Sequence, residues 1–444
     1  MKIQLPWGQE TIDLDLPETW TVITPQAEGA PPPDAPDEAA IVFRALADPV
    51  GAAPLAQWDL AGKRVLVVTD DNTRPTPVVR FFHLVLEALE TAGAQPADIL
   101  VMPALGIHTA MSEAEMAAKI GPEHLGRVAW RNHDAFDAAV CREFGVTPRG
   151  TPVVLNRAVA EADLIVSLGL IEPHLWAGFG GGLKNILPGL ASAACIGAHH
   201  GVIAEPPYLF NRVGMPPEAN SFRLDLEAIR PMIAADIFCL NVALNPAGRI
   251  IEAFAGDPVA AHRKGVAFNR QVAGRHLDGP VDGIIVNSHP MDLNFKQSMK
   301  CVGNSLPALR PRGVVMGFLR ARRGLDDIVA PEKGKPLWLT KALLRLMGPA
   351  RVMGFLERIR PGLNVEEKFL LYYSMQLVRQ YDLFFYVPSI EDDQVQRLGF
   401  FKRCTDPRQV IAAGKKALGA NARVAVFPEG GATFPIVGGD IQKI

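Results

Sequence analysis

Lysine and imidazole side chains gather around one glycine-rich stretch: Glu172-Pro-His174, then Gly178-Phe-Gly180-Gly181-Gly182-Leu-Lys184, then His199-His200. Glycines let backbone amides approach an anionic group closely. Imidazole nitrogens suit a borderline transition metal. Lys184, beside Ile186, Leu187 and Pro188, reads either as a solvated residue near a helix start or as a desolvated amine open to covalent attachment. His199 and His200 read either as helix-surface residues or as a source of one metal ligand. Two common phosphate-loop patterns do not fit. A Walker loop needs Ser or Thr directly after Gly-Lys, whereas Leu183 precedes Lys184 and Asn185 follows it. The dinucleotide pattern GxGxxG, counted from Gly178, meets Leu183 at its last position. Neither ordinary nucleoside triphosphate nor ordinary NAD binding is supported.

Other segments carry chemistry of the same kind. Asp70-Asp71-Asn72-Thr73-Arg74-Pro75 follows a β-branched run directly. Its plain structural reading is a turn in which Asp or Thr caps the next helix. That leaves Arg74 unexplained, and a guanidinium in such a turn can grip a carboxylate. His108 sits in Gly106-Ile-His108-Thr109, ahead of Ser112 and Glu115, which have capping-box spacing. His174 holds the equivalent place after Leu164–Leu168. Two imidazoles beyond neighbouring strand ends suit chemistry at a stereocentre, one taking a proton and the other returning it on the opposite hand. Further on, Gln297 and Lys300 share one helical spacing. They read as a solvated helix face, or as a contribution to the cleft with Lys300 as a cationic donor.

These residues need a scaffold of strand ends. With 444 residues, two domains are the default expectation. The opening residues, Lys2 to Leu16, alternate around Trp7-Gly8 and predict a β-hairpin, and Pro31 to Pro36 predict a stiff connector. Strands are expected at Arg64–Thr69, Ile99–Met102 and Leu164–Leu168, with a helix over Pro77–Ala92. A second series is expected at Gly283–Val286, Val314–Phe318, Leu383–Val387 and Val424–Phe427, after a linker at Gly274–Pro280. The alternation predicts an α/β fold: two domains with largely parallel sheets and an active-site cleft between them, residues 1–275 holding cofactor and catalytic groups and residues 280–444 closing the cleft. Trp338–Arg360 is apolar and basic, but Gly348-Pro349 interrupts it, and a solvated face on a domain helix is the reading adopted over a membrane-surface helix. A formal net charge of -2 gives no global field for nucleic acid or an anionic membrane, so neither is an expected partner. No apolar run is long enough to span a bilayer, and Met1-Lys2-Ile3-Gln4 does not begin a signal peptide. Five scattered cysteines without a CxxC pair fit a reducing cytoplasm.

Taken in order, these segments resemble the lactate racemase family, enzymes that use the nickel-pincer nucleotide. The matching pieces are Asp71-Asn-Thr-Arg74-Pro75, Gly106-Ile-His108, Glu172-Pro-His174, Ala177-Gly-Phe-Gly-Gly-Gly-Leu-Lys184-Asn-Ile-Leu-Pro-Gly189, His200, Gln297-Ser-Met-Lys300 and Phe427-Pro-Glu-Gly-Gly-Ala-Thr-Phe-Pro435. The resemblance implies a 2-hydroxy acid racemase or epimerase, an isomerase working by reversible hydride transfer. It implies nickel pyridinium-3,5-bisthiocarboxylic acid mononucleotide, covalent on Lys184, as cofactor, and His200 as its protein metal ligand. His108 and His174 would alternate as base and acid, and Arg74 and Lys300 would orient the substrate carboxylate. Asp71 and Gln297 would line the pocket, with the amides of Gly180, Gly181 and Gly182 near the cofactor phosphate. The enzymes that make the cofactor would be partners. Leu183 and Asn185 stand where family members often have Arg and Ser, and Lys296 stands where an aromatic is common. With Trp176 in the loop, a larger or more polar 2-hydroxy acid is as plausible a substrate as lactate. Two alternatives are a hydroxy-acid oxidoreductase using free nicotinamide cofactor and a non-catalytic carrier of the nickel cofactor.

Overall fold

β-Branched runs decide the architecture. Val65–Asp70 and Leu164–Leu170 are buried along their whole lengths, and Ile99–Ala104 nearly so, as strands covered on both faces must be. The computed structural model describes residues 1–29, 37–204, 209–326, 328, 336–360, 362–363 and 365–438. The expected connector at Pro31–Pro36 lies outside them. Two six-stranded sheets dominate. The first runs, in spatial order, Ile250–Gly256, Asp236–Leu244, Leu164–Leu170, Val65–Asp70, Ile99–Ala104 and Ala129–Trp130. All its neighbours are parallel except the Ile250–Gly256 edge. The second runs Lys402–Cys404, Asp382–Tyr386, Leu309–Phe318, Val281–Asn287, Arg423–Phe427 and Thr21–Ile23, and is parallel throughout.

The first sheet builds outward in both directions from the pair Val65–Asp70 and Leu164–Leu170. Successive strands after residue 65 proceed to one side, and those after residue 164 to the other. The chain reversal leaves a crevice beyond the carboxyl ends of that pair, the usual place for a ligand in an open α/β sheet. The turns carrying Asp71, His108 and His174 all follow strands at this end. Lys300 and Gln297 come from two short helices, Phe295–Ser298 and Lys300–Ser305, that follow the Val281–Asn287 strand of the second sheet.

Two expectations about chain division need correction. The first 23 residues do not group with the first sheet: the Lys2–Trp7/Glu10–Asp15 hairpin forms as expected, but Thr21–Ile23 pairs with Arg423–Phe427. Leu5, Leu14, Leu16 and Trp20 bury against Ile285, Val314, Met316 and Val424, and the Trp20 indole donates to Gly419 O. The apolar alternation of this segment gives no clue to which sheet it will cover. The stretch read as a linker is likewise ordered, since Gly274–Leu277 forms a parallel pair with Phe434–Val437. One apolar cluster also runs through both halves, including Leu183, Ile186 and Phe210 together with Cys301, Val302 and Leu306. Trp338–Arg360 forms two helices, Leu337–Met347 and Pro349–Ile359, divided at Gly348 as the sequence indicates. No described helix is long and apolar enough to cross a membrane.

Deleting residues 1–23 should therefore damage the far end of the chain. Four apolar side chains at roughly 1.5–3 kcal/mol each are lost and a sheet edge is uncovered. Thermal unfolding followed by circular dichroism should show a melting temperature at least about 10 °C lower, with aggregation. An unchanged melting curve would contradict the placement.

Candidate active site

Asp71 begins the turn after Val65–Asp70 and organises it. One carboxylate oxygen accepts from the Thr73 N–H at 3.0 Å and from the Thr73 hydroxyl at 2.5 Å. The other meets His108 Nδ1 at 2.5 Å. The aspartate thus shapes its own turn and does not cap the following helix, whose first residue has no side-chain cap. Ser112 and Glu115 do form the expected capping box. Burial would raise the Asp71 carboxyl, but the His108 hydrogen bond and charge, with Arg74 nearby, hold it well below the usual carboxylate range. An anionic Asp71 fixes the proton of His108 on Nδ1 and leaves the Nε2 lone pair free. Beneath the turn, Lys119 pairs with Asp70 at 2.6 Å and donates to the carbonyls of Asp71 and Thr76.

The glycine loop is held from below. Arg223, fully buried, donates to the carbonyls of Ala177, Phe179 and Gly181, and His262 Nε2 donates to Gly180 O at 3.0 Å. Such close seating explains the glycines. A Cβ on Gly180 would stand 2.8 Å from Leu170 O. One on Gly181 would stand 2.6 Å from Asn241 Oδ1, at a backbone φ of +78°. The expectation that these amides face a phosphate needs correction at two positions. Gly180 N–H donates to Glu172 O at 2.8 Å, and Gly182 N–H to Asn241 Oδ1 at 3.0 Å. Asn185 also turns inward, donating to Leu168 O at 2.8 Å.

Lys184 follows on the short turn Gly182–Asn185. Its amine makes no hydrogen bond to a described residue. Burial, reinforced by the Arg74 guanidinium, lowers it to about 7. An amine of that kind is about half unprotonated at neutral pH, and its neutral form is a competent nucleophile. Lys184 lies near enough to His174 and His200 for its charge to depress both imidazoles further.

His200 closes the helix Ala193–His200. The expectation left open whether it lay on a helix surface; it is buried. Its Nδ1–H donates to Ile196 O at 2.9 Å, which leaves the Nε2 lone pair free. Trp176 and Phe222 meet the ring edge-on, at 5.4 and 4.9 Å, and Phe369 stacks on it at 5.0 Å. Burial keeps the imidazole neutral, the form a metal requires. His199 faces elsewhere, donating to Phe222 O at 3.0 Å, and burial lowers it to about 4. No group of three His, Cys, Asp or Glu side chains among the described residues could hold a metal ion. A metal at His200 must bring its other ligands with it.

The two cations assigned to a substrate carboxylate are found on a protein carboxylate. Arg74 Nε lies 3.2 Å from one oxygen of Glu172, and Lys300 Nζ lies 3.5 Å from the other. Glu172 is 7% exposed, and although burial would raise its carboxyl, Lys300 and Arg74 keep it below its ordinary value. In the sequence Glu172 stands out only as part of the Glu172-Pro-His174 motif. Its place two residues before His174, in a turn already suspected, was the available signal. Arg223 and Phe369 were missed altogether, and nothing local marks them. His174 Nδ1 accepts from the backbone N–H groups of Trp176 and Ala177 at 3.3 and 3.2 Å, so a neutral ring carries its proton on Nε2. Burial, followed by the charge of Lys184, keeps it neutral. Gln297 sits one turn before Lys300, and its Oε1 is buried without a partner among the described residues.

The bare protein should show a fast-reacting lysine. Trinitrobenzenesulfonate should modify Lys184 with an inflection near pH 7, where an ordinary lysine inflects at roughly 10.4, because the reactive neutral form dominates above the depressed value. Lys184→Gln should abolish the fast phase; an inflection above pH 9 would contradict the site. Arg223→Met should cost about 3 kcal/mol or more in urea unfolding, since three buried carbonyls lose their donor, while Glu227 keeps its pairing with Arg263.

Known proteins resemble this chain in both sequence and fold. Residues 7–208 match the family model described as the lactate racemase N-terminal domain. The chain is 32% identical over 319 residues to the lactate racemase of Thermoanaerobacterium thermosaccharolyticum, covering 71% of this chain and 73% of that protein. It is 28% identical over 324 residues to the lactate racemase of Lactiplantibacillus plantarum, covering 72% and 75%. The structure of the T. thermosaccharolyticum lactate racemase apoprotein superposes with a TM-score of 0.81 at 25% identity, over 98% of this chain and all of the other. A Thermotoga maritima protein shares the fold at a TM-score of 0.61 and 19% identity, over 91% of this chain. By sequence over most of its length, and by an α/β fold with two large parallel sheets, this chain belongs to the lactate racemase family.

Proposed function

We propose that the chain is a racemase or epimerase of a 2-hydroxy acid, an isomerase that works with a nickel-pincer nucleotide attached to Lys184. The observation that carries this reading is the pairing of a half-buried amine lowered to about 7 with a neutral, buried imidazole whose Nε2 lone pair is free. The donor set fits the group: an amine that can form the covalent bond, and one nitrogen to complete a metal whose other ligands come with the cofactor. When bound, the cofactor supplies a nickel-bearing pyridinium able to accept and return the substrate's α-hydrogen with its electron pair. The chain's own residues do the remaining work. His108, backed by Asp71, takes the hydroxyl proton at Nε2 and returns it. His174 presents Nε2–H on the other side. Alternation of the two roles requires His174 to keep its Nδ1 contacts while neutral and to give them up when it takes on a proton. Arg74 and Lys300 orient the substrate carboxylate through the donors that Glu172 leaves free. Gln297 and Asp71 complete the pocket, while Trp176 and Phe369 exclude water around His200. The amides of Gly180 and Gly182 already donate within the chain, which favours covalent holding over cradling of a free dinucleotide.

In this reading residues 1–275 carry most of the cofactor site, and the segment 280–444 supplies Lys300, Gln297 and Phe369 to close the cleft. The enzymes that make the cofactor are partners, and the cytoplasm is the proposed compartment, consistent with five free cysteines.

Co-expression with the cofactor's biosynthetic enzymes should give protein with added mass on Lys184 and bound nickel. That protein should remove the optical rotation of a single-enantiomer 2-hydroxy acid. Lys184→Ala should lose both properties. His108→Asn should still load nickel yet lose roughly 10²–10⁴-fold in kcat. A Lys184 left unmodified under these conditions would refute the reading, and undiminished turnover in the His108 variant would remove the base.

A further inference from the structure

Glu172 occupies a position with consequences for which acids can enter. It is 7% exposed, and each of its oxygens faces one of the two cations in the cleft, Arg74 at 3.2 Å and Lys300 at 3.5 Å. Two other acids interact with the Arg74 charge: Asp71, which bonds His108, and Asp70, which is already paired with Lys119 at 2.6 Å. Two cations therefore already face two carboxylates. The third cation nearby, Arg223, lies under the glycine loop against backbone carbonyls and Glu227. Lys184 carries no charge once acylated.

We propose that Glu172 is a specificity-determining residue that restricts the cleft to 2-hydroxy acids bearing a single carboxylate. The inference rests on the racemase reading. A first carboxylate is seated by N–H donors still available on Arg74 and Lys300, with no surplus of positive charge behind it. It already lies near the anionic Glu172. A second carboxylate on the same substrate, two or three bonds away, adds another anion where neither Arg74 nor Lys300 is left unmatched. Like charges a few ångströms apart in a poorly solvated cleft repel strongly enough to cost at least about tenfold in affinity. The same residue fixes Arg74, from the first sheet, against Lys300, from the second, so it also positions both donors.

The test compares lactate and malate on wild type and Glu172→Gln, which keeps the shape and one acceptor oxygen. With cofactor loaded, wild type should favour lactate in kcat/KM by at least about tenfold. In the Gln variant that ratio should fall at least about tenfold. The fall should come from a lower KM for malate, while kcat drops for both acids because the donors are less firmly fixed. A merely structural loss would raise both KM values and leave the ratio unchanged, and that result overturns the proposal. Glu172→Asp, which keeps the charge, should retain the preference for lactate. Calorimetric binding of both acids to unloaded protein at pH 8, where Lys184 is mostly neutral, gives a second readout. Wild type that binds malate as tightly as lactate overturns the proposal even if the Gln variant does not fold. Loaded wild type that racemises no member of a panel of 2-hydroxy acids refutes the racemase reading instead, and the binding ratio still decides the role of Glu172.

Discussion

A guanidinium without access to solvent lies under the glycine loop, and its demand for acceptors shapes the site above it. Withdrawing a cation from water costs several kcal/mol unless its donors are satisfied. Arg223 meets that cost with the carbonyls of Ala177, Phe179 and Gly181 and with Glu227 at 3.9 Å. Carbonyls can converge on one side chain only if the loop descends onto the sheet, and the descent leaves no room for a Cβ at Gly180 or Gly181. The same descent ties Gly180 N–H and Gly182 N–H to partners within the chain. The glycines are thus first a consequence of packing. Their chemical effect is to set Lys184 at the end of a rigid turn, partly withdrawn from water and within reach of the charges of Arg74 and Glu172.

That electrostatic setting sorts the remaining groups. Burial acts against the charged forms of Lys184, His174 and His200 alike, and neighbouring cations reinforce it. A neutral amine can be acylated, a neutral imidazole can ligate, and a neutral ring fixed by backbone donors can present one N–H. His108 differs because an anionic carboxylate stands against its Nδ1. Two histidines that look equivalent in the sequence, each following a strand, are thus distinguished by what touches their Nδ1 atoms: an acceptor for His108, donors for His174.

Much of the scaffold was legible beforehand because buried parallel strands write continuous β-branched runs. Val65–Asp70, Leu164–Leu170 and Arg423–Phe427 fall within a residue or two of where such runs end. Polar residues just past those ends marked Asp71, Arg74, His108 and His174, and the first and second of them do meet His108 and Glu172 respectively. What the sequence hid was long-range partnership. Nothing around Arg223 says that it will sit beneath residues 177–181, and nothing in Thr21–Ile23 names the strand at 423–427 as its neighbour. Apolar patterning fixes which face of an element is buried, whereas its partner is set by the packing of the whole chain. Even Glu172 could be located but not interpreted, since its meaning depends on a lysine 128 residues away.

That separation explains why the cleft needs both halves at once. Arg74 and Glu172 come from turns of the first sheet, and Lys300 from a helix following a strand of the second. Phe369, which stacks on His200, belongs to the helix Val365–Gln380, inserted between two strands of the second sheet. An imidazole meant for a metal gains from an aromatic wall, because excluded water can neither compete as a ligand nor weaken nearby charges. With the halves apart, His200 would lose the Phe369 face of that wall, and Glu172 would keep one cation of its two. The shared apolar cluster that joins residues 183–210 to residues 301–306 is therefore part of the site's chemistry as well as of its stability. It keeps donors from two sheets within hydrogen-bonding distance of one carboxylate, which no single sheet of this chain could do.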